Sequence, residues 1–120
     1  MSVIENSTIL VTGAAQGLGR QIAIMCASRG AHVVLWDIDS QQLAATVADV
    51  ARVATMPPRG YRCDVGDRDM INETARQVVT EAGRVDILIN NAGVMSGRRL
   101  LDCSDEQIQR TMAVTTGSIQ

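Results

Sequence analysis

The sequence contains no lysine and no phenylalanine, and one histidine, one tyrosine and one tryptophan among its 120 residues. All 11 basic residues are therefore arginines, so a catalytic step that depends on lysine has no residue here to perform it. The three cysteines, Cys26, Cys63 and Cys103, are odd in number, far apart and without a CxxC pair. With a single histidine to join them they form no metal-ligand set, and reduced thiols are expected. No apolar run approaches the roughly 18 residues needed to span a bilayer, and the N-terminus has no basic segment leading into an apolar one. A soluble cytoplasmic protein is expected. A net charge of −2 gives no general electrostatic reason to approach nucleic acid or an anionic membrane, which leaves small molecules as partners.

What is present is a periodic alternation of apolar runs. At 46% hydrophobic and 20% charged residues, the chain has the composition of one compact domain, 1–120. Ser7 to Thr12 (STILVT) reads as a buried strand ending at Gly13. From Leu18, apolar residues at Ile22, Ala23, Met25, Cys26 and Ala27 predict a helix that stops at Arg29-Gly30. His32 to Trp36 is a second strand. Ser40 is expected to cap a helix whose Leu43, Ala44, Val47, Val50 and Ala51 share a face and which ends before Pro57-Pro58. Gly60 to Cys63, Asp67 to Gly83 and Val85 to Ile89 follow as strand, helix and strand, and Ser104 to Thr116 begins a further helix with Asp105 and Glu106 in its first turn. The order βαβαβαβ requires right-handed crossovers and so a parallel sheet covered on both faces. The expected fold is α/β, a three-layer αβα Rossmann-type domain cut after its fourth strand and the following helix.

Between the first strand and helix stands Thr12-Gly13-Ala14-Ala15-Gln16-Gly17-Leu18-Gly19, a G-x-x-x-G-x-G loop. Gly13 permits a tight turn, Gly17 lets backbone approach a pyrophosphate, and Gly19 allows close helix packing. The free N–H groups and positive dipole end of the helix would then receive phosphates. Asp37 closes the second strand, where a carboxylate can accept hydrogen bonds from both hydroxyls of an adenosine ribose and would repel a 2′-phosphate. Ala15 and Ile38, two positions from which a basic residue could meet that phosphate, are uncharged. NAD is therefore expected in preference to NADP. An ordinary glycine-rich turn and an exposed strand-end aspartate are the plainer readings of each feature alone.

Together with Cys63-Asp64-Val65 after the third strand and Asn90-Asn91-Ala92-Gly93 after the fourth, these residues resemble the short-chain dehydrogenases/reductases, in order and at family spacing, from about Ser7 to Val114. Residues 115–120 depart from the pattern. The resemblance implies a cofactor site of Gly13, Gln16, Gly17, Leu18, Gly19, Asp37, Ile38, Asp64, Val65, Asn90, Ala92 and Gly93. In it Asp64 would bond the adenine amino group, the Val65 backbone would read the ring edge, and Asn90, Ala92 and Gly93 would line the nicotinamide-side ribose. Asn90 and Asn91 would also tie neighbouring strands together. The segments WDID, CDVGD and NNAGVMSGRRLLDCSDEQIQRTM are most similar to the branch containing retinol dehydrogenases and some hydroxysteroid dehydrogenases, which implies a lipophilic alcohol or carbonyl substrate and a homo-oligomer when the protein is complete.

The family's proton-transferring tyrosine, with its lysine four residues on, is missing. The only tyrosine, Tyr61, lies in the third strand with Val65 where the lysine should be. The supporting asparagine is expected in a V-N-x-x-G stretch, but Val114-Thr115-Thr116-Gly117 stands there. The catalytic serine would also lie downstream. No catalytic residue is assigned, and the expectation is an NAD-dependent alcohol/carbonyl oxidoreductase whose dinucleotide half is inactive alone. The alternative is a non-catalytic nucleotide-binding or interaction module. His32 is expected as a surface strand-end histidine, Cys26 and Cys63 as core residues, Cys103 as a residue near a helix start, Met95 and Trp36 as packing residues, and Arg98-Arg99 as a solvated loop.

Overall fold

The computed structural model describes residues 4–91. The expected elements after Asn91, together with Ala92, Gly93, Met95, Arg98, Arg99 and Cys103, lie outside them.

Four apolar runs form a parallel sheet of β1 (Thr8–Thr12), β2 (His32–Asp37), β3 (Arg59–Arg62) and β4 (Ile87–Asn90), in the spatial order β3-β2-β1-β4. β1 is buried along its whole length and β2 up to its last residue, as expected of strands covered on both faces. Successive side chains alternate between two cores. Ile9, Val11, Val33 and Leu35 point to one side, where α1 (Gly17–Ser28) contributes Ile22, Ala23 and Cys26, and α2 (Ser40–Ala51) contributes Leu43 and Val50. Leu10, Val34, Trp36 and Leu88 point to the other, onto Ile71, Ala75 and Val78 of α3 (Arg68–Ala82). The result is the expected three-layer arrangement.

Several local expectations are corrected. β1 begins at Thr8, β2 extends to Asp37, β3 runs from Arg59 to Arg62, and β4 from Ile87 to Asn90. β4 starts late because the Asp86 carboxylate accepts the Thr8 N–H at 2.8 Å, a side chain taking the place of a strand partner. α1 begins at Gly17, and Asp39, not Ser40, caps α2, its carboxylate accepting the Gln42 N–H at 3.0 Å. α2 buries Leu43, Thr46 and Val50, whereas Ala44 and Ala51 face solvent. A stripe of i, i+3, i+7 is narrower than the five-residue face expected, and a methyl side chain loses little by lying outside it. Met25 is 43% exposed on the outer side of α1. His32 is buried, because the strand start lies under Pro57, to whose backbone it hydrogen-bonds.

The position of β4 matters most for a site. The chain steps outward from β1 to β2 to β3, then crosses back to pair β4 on the other side of β1, in register Thr12 to Asn90. Loops leaving β1 and β4 therefore diverge, and a crevice opens beyond the carboxyl ends of the strands.

Candidate functional site

A cleft of ≈ 370 Å³ occupies that crevice. Every strand end contributes to it: Gly13 and Gln16 follow β1, Asp37 and Ile38 end β2, Cys63, Asp64 and Val65 follow β3, and Asn91 follows β4.

The glycine loop is shaped by its own backbone and held, besides the Ala14 N–H bond to the Trp36 carbonyl, by the side chains of Asp37, Thr46 and Asn91. Gly13 and Gly17 have φ of 65° and 60°, a left-handed conformation that side chains disfavour. At Gly17 nothing lies within 4 Å of where a Cβ would stand, so the backbone presents a bare surface. At Gly19 a Cβ would stand 2.1 Å from the Gly13 carbonyl oxygen and 2.6 Å from Asn91 Nδ2, so a side chain there has no room at all. One neighbour is Asp37, whose Oδ2 accepts the Ala15 N–H at 3.0 Å while its Oδ1 accepts that of Asp39 at 2.9 Å. A second is Thr46 of α2, whose hydroxyl donates to the Ala15 carbonyl at 3.0 Å. The third is Asn91, which donates from Nδ2 to the Gly13 carbonyl at 3.2 Å.

Asn90 faces the strand pairing, accepting the Thr12 hydroxyl at 3.1 Å, while that same hydroxyl accepts the Asn91 N–H at 3.0 Å. The two asparagines thus join β4 to β1 and to the glycine loop. On the far wall, Asp64 closes a tight turn, its Oδ1 accepting the Gly66 N–H at 2.9 Å and its carbonyl accepting that of Asp67. Val65 is buried beside it and Ile38 is 53% exposed at the rim.

The N-terminus of α1 opens at this loop. Its capping residue, Gln16, is extended and makes no side-chain cap bond, and no acidic residue occupies the first turn. A helix end with uncapped N–H groups and a positive dipole attracts an anion. The Asp37 carboxylate borders that loop from the end of β2, where it accepts the Ala15 N–H, and Asp64 follows β3; no basic residue lines the cleft among the described residues. The arrangement can therefore take a molecule with a phosphate at one end and hydroxyl or amino donors at the other.

Among the described residues, the thiols and the phenol are not poised as nucleophile or base. Burial pushes the Cys63 thiol up, with the negative charges of Asp64 and Asp67 acting in the same direction, so it stays protonated. Burial also raises Cys26. The Tyr61 phenol is pushed up to about 12 by burial and by Glu81, to which its hydroxyl donates. A catalytic tyrosine needs the opposite shift. His32 sits at the other end of β2 from the cleft. Among the described residues there is no group of three or more metal-ligating side chains, and no helix is long and apolar enough to cross a membrane.

Of the residues singled out in the sequence, the structure brings Gly13, Gln16, Asp37, Ile38, Asp64 and Val65 to the cleft, with Gly17, Leu18 and Gly19 in the adjoining first turn of α1 and Asn90 in the strand beneath. Sequence reasoning passed over Thr46 and the place of Asn91 on the cleft wall. A threonine interrupting the apolar stripe of α2 was the available signal for the first.

The pattern of the family described as short chain dehydrogenase matches residues 7–119. Retinol dehydrogenase 10-B of Danio rerio is 44% identical over 92% of this chain, which covers 39% of that protein. Among solved structures, a hydroxysteroid dehydrogenase from Escherichia coli is 32% identical with a TM-score of 0.70, over 75% of this chain and 36% of its own. A short chain dehydrogenase/reductase from Burkholderia phymatum in complex with NAD is 35% identical with a TM-score of 0.71, over 80% of this chain and 34% of its own. The chain thus spans about two fifths of the length of these relatives or less. By sequence pattern, by fold and by the glycine loop at the strand ends, this chain belongs to the short chain dehydrogenase family.

Proposed function

We propose that this chain forms the dinucleotide half of an oxidoreductase that interconverts an alcohol and a carbonyl, with NAD in preference to NADP. One observation carries the reading: an uncapped helix N-terminus behind a bare glycine backbone shares a cleft with the Asp37 carboxylate, and no basic residue lines that cleft among the described residues. The residues fit the group. Gly13 and Gln16 to Gly19 would hold the pyrophosphate, Asp37 and Ile38 the adenosine ribose, Asp64 and Val65 the adenine, and Asn90, Ala92 and Gly93 the second ribose. When bound, the nicotinamide supplies or accepts a hydride; this chain's part is to bind and orient it. The Burkholderia structure, solved with NAD, supports the cofactor, and the zebrafish relative's name supports a lipophilic alcohol as the substrate class.

With no lysine in the sequence, the family's tyrosine–lysine pair is not formed by these 120 residues, and turnover by the chain alone is not expected. That same absence favours a second reading, a nucleotide-binding module without catalysis. Both require the cleft to bind NADH. Calorimetric titration with NADH and NADPH tests the shared claim: NADH should bind at least about tenfold tighter, and Asp37→Ala should narrow that ratio. Equal or tighter NADPH binding by the parent chain would overturn the role given to Asp37.

A further inference from the structure

We infer that Thr46, on the helix after β2 and outside the cleft, is a positioning residue for the phosphate end of the site. Its side chain is fully buried, 0% exposed, in the middle of the apolar stripe of α2. Its hydroxyl donates to the Ala15 carbonyl at 3.0 Å. The other side of Ala15 is held by Asp37, which accepts the Ala15 N–H at 3.0 Å. One residue of the glycine loop is thus clamped from both of its backbone polar groups, by a carboxylate at the end of β2 and a hydroxyl from α2.

The physical consequence falls on the loop, not on the helix. Ala15 is 3% exposed, so its carbonyl has no route to bulk water if the hydroxyl is removed. A buried acceptor left without a donor is unfavourable enough that the loop would shift to find one. Ala15 immediately precedes Gln16 and Gly17, where α1 begins, so a shift there moves the N–H groups that face the phosphates. Asp37 belongs to this clamp, whereas Asp64 and Val65 follow β3 and line the cleft from that side. Thr46 therefore governs affinity for the pyrophosphate and, through Asp37, for the ribose, and not for the adenine ring.

The inference rests on the dinucleotide reading above. The experiment compares ADP-ribose, bound through both ends, with adenine, bound through one, in calorimetric and NMR titrations well below each protein's unfolding temperature. Thr46→Val keeps the volume and removes the donor; it should weaken ADP-ribose about tenfold and leave adenine within about twofold. Thr46→Ser should keep both affinities at parent values, and Thr46→Cys, with a weaker donor, should fall between the two for ADP-ribose, which keeps the series readable if the valine variant does not fold. A threonine that merely supports the helix would lower the unfolding temperature and leave both affinities at parent values. That result, or equal weakening of both ligands, overturns the role of Thr46. Failure of the parent chain to bind either ligand overturns the dinucleotide reading itself, and this inference with it.

Discussion

Gly17 and Gly19 stand two residues apart and are glycine for different reasons, so alanine should act differently at each. At Gly19 the obstacle is backbone: the Gly13 carbonyl, 2.1 Å from the position of a Cβ, has no side-chain rotation to relieve it. Gly19→Ala should cost about 1–3 kcal/mol of stability in urea denaturation. At Gly17 nothing is in the way, and the cost is that of holding alanine at a φ of 60°, about 1–2 kcal/mol. Gly17→Ala should in addition weaken NADH binding, because its methyl would occupy the bare surface facing the cleft. Equal NADH affinity in Gly17→Ala and the parent would argue against phosphates at this turn.

His32 allows a second test on a single side chain. Burial lowers its pKa below the ordinary 6.5, with the nearby Arg59 cation acting in the same direction and the Pro57 backbone bond opposing. The unfolded chain therefore takes up a proton at higher pH than the folded one. The stability from neutral His32 is fully present above 6.5 and is lost as pH falls from there through the depressed folded value. As His32 is the only histidine, His32→Asn should flatten the dependence of the urea midpoint on pH between about 7 and 5.5. An unchanged slope would show that another group carries it.

Among elements, the sequence announces α2 clearly but not its ends or its buried face. Two adjacent residues, Asp39 and Ser40, are both good caps, and composition cannot choose between them. The structure chooses Asp39, whose Oδ1 lies 3.0 Å from the Gln42 N–H. Asp39→Ala should lower stability by about 1 kcal/mol, and Ser40→Ala by much less, as read from thermal or urea unfolding. The role of Thr46 is harder to read for a related reason: a threonine interrupting an apolar stripe signals a buried partner but not which one, and Ala15 is far from it in sequence. By contrast, β1, β2 and the glycine loop were plain, because β-branched runs buried on both faces carry the strongest pattern and glycines at a strand end carry the next. β3 is an exposed edge with arginines at both ends, which blunts further pairing and weakens its apolar signal.

At the scale of the whole molecule, one topological step, the crossing that places β4 beside β1, gathers the ends of four strands around one cleft. Its location followed from the sequence because each chemical motif trails a strand. The resemblance implied that Asn90 and Asn91 tie neighbouring strands together; what did not follow was which atoms they hold, nor Asp37 on Ala15, because Thr12, Gly13 and Ala15 are remote from these partners in sequence. The most direct measurement is an NMR titration of the chain with NADH. Amide shifts should change at 13–19, 37–38, 64–65 and 90–91, all at the carboxyl ends of the strands. Unchanged shifts there, or changes confined to the opposite end around His32 and Arg59, would contradict the assignment of this cleft as the dinucleotide site.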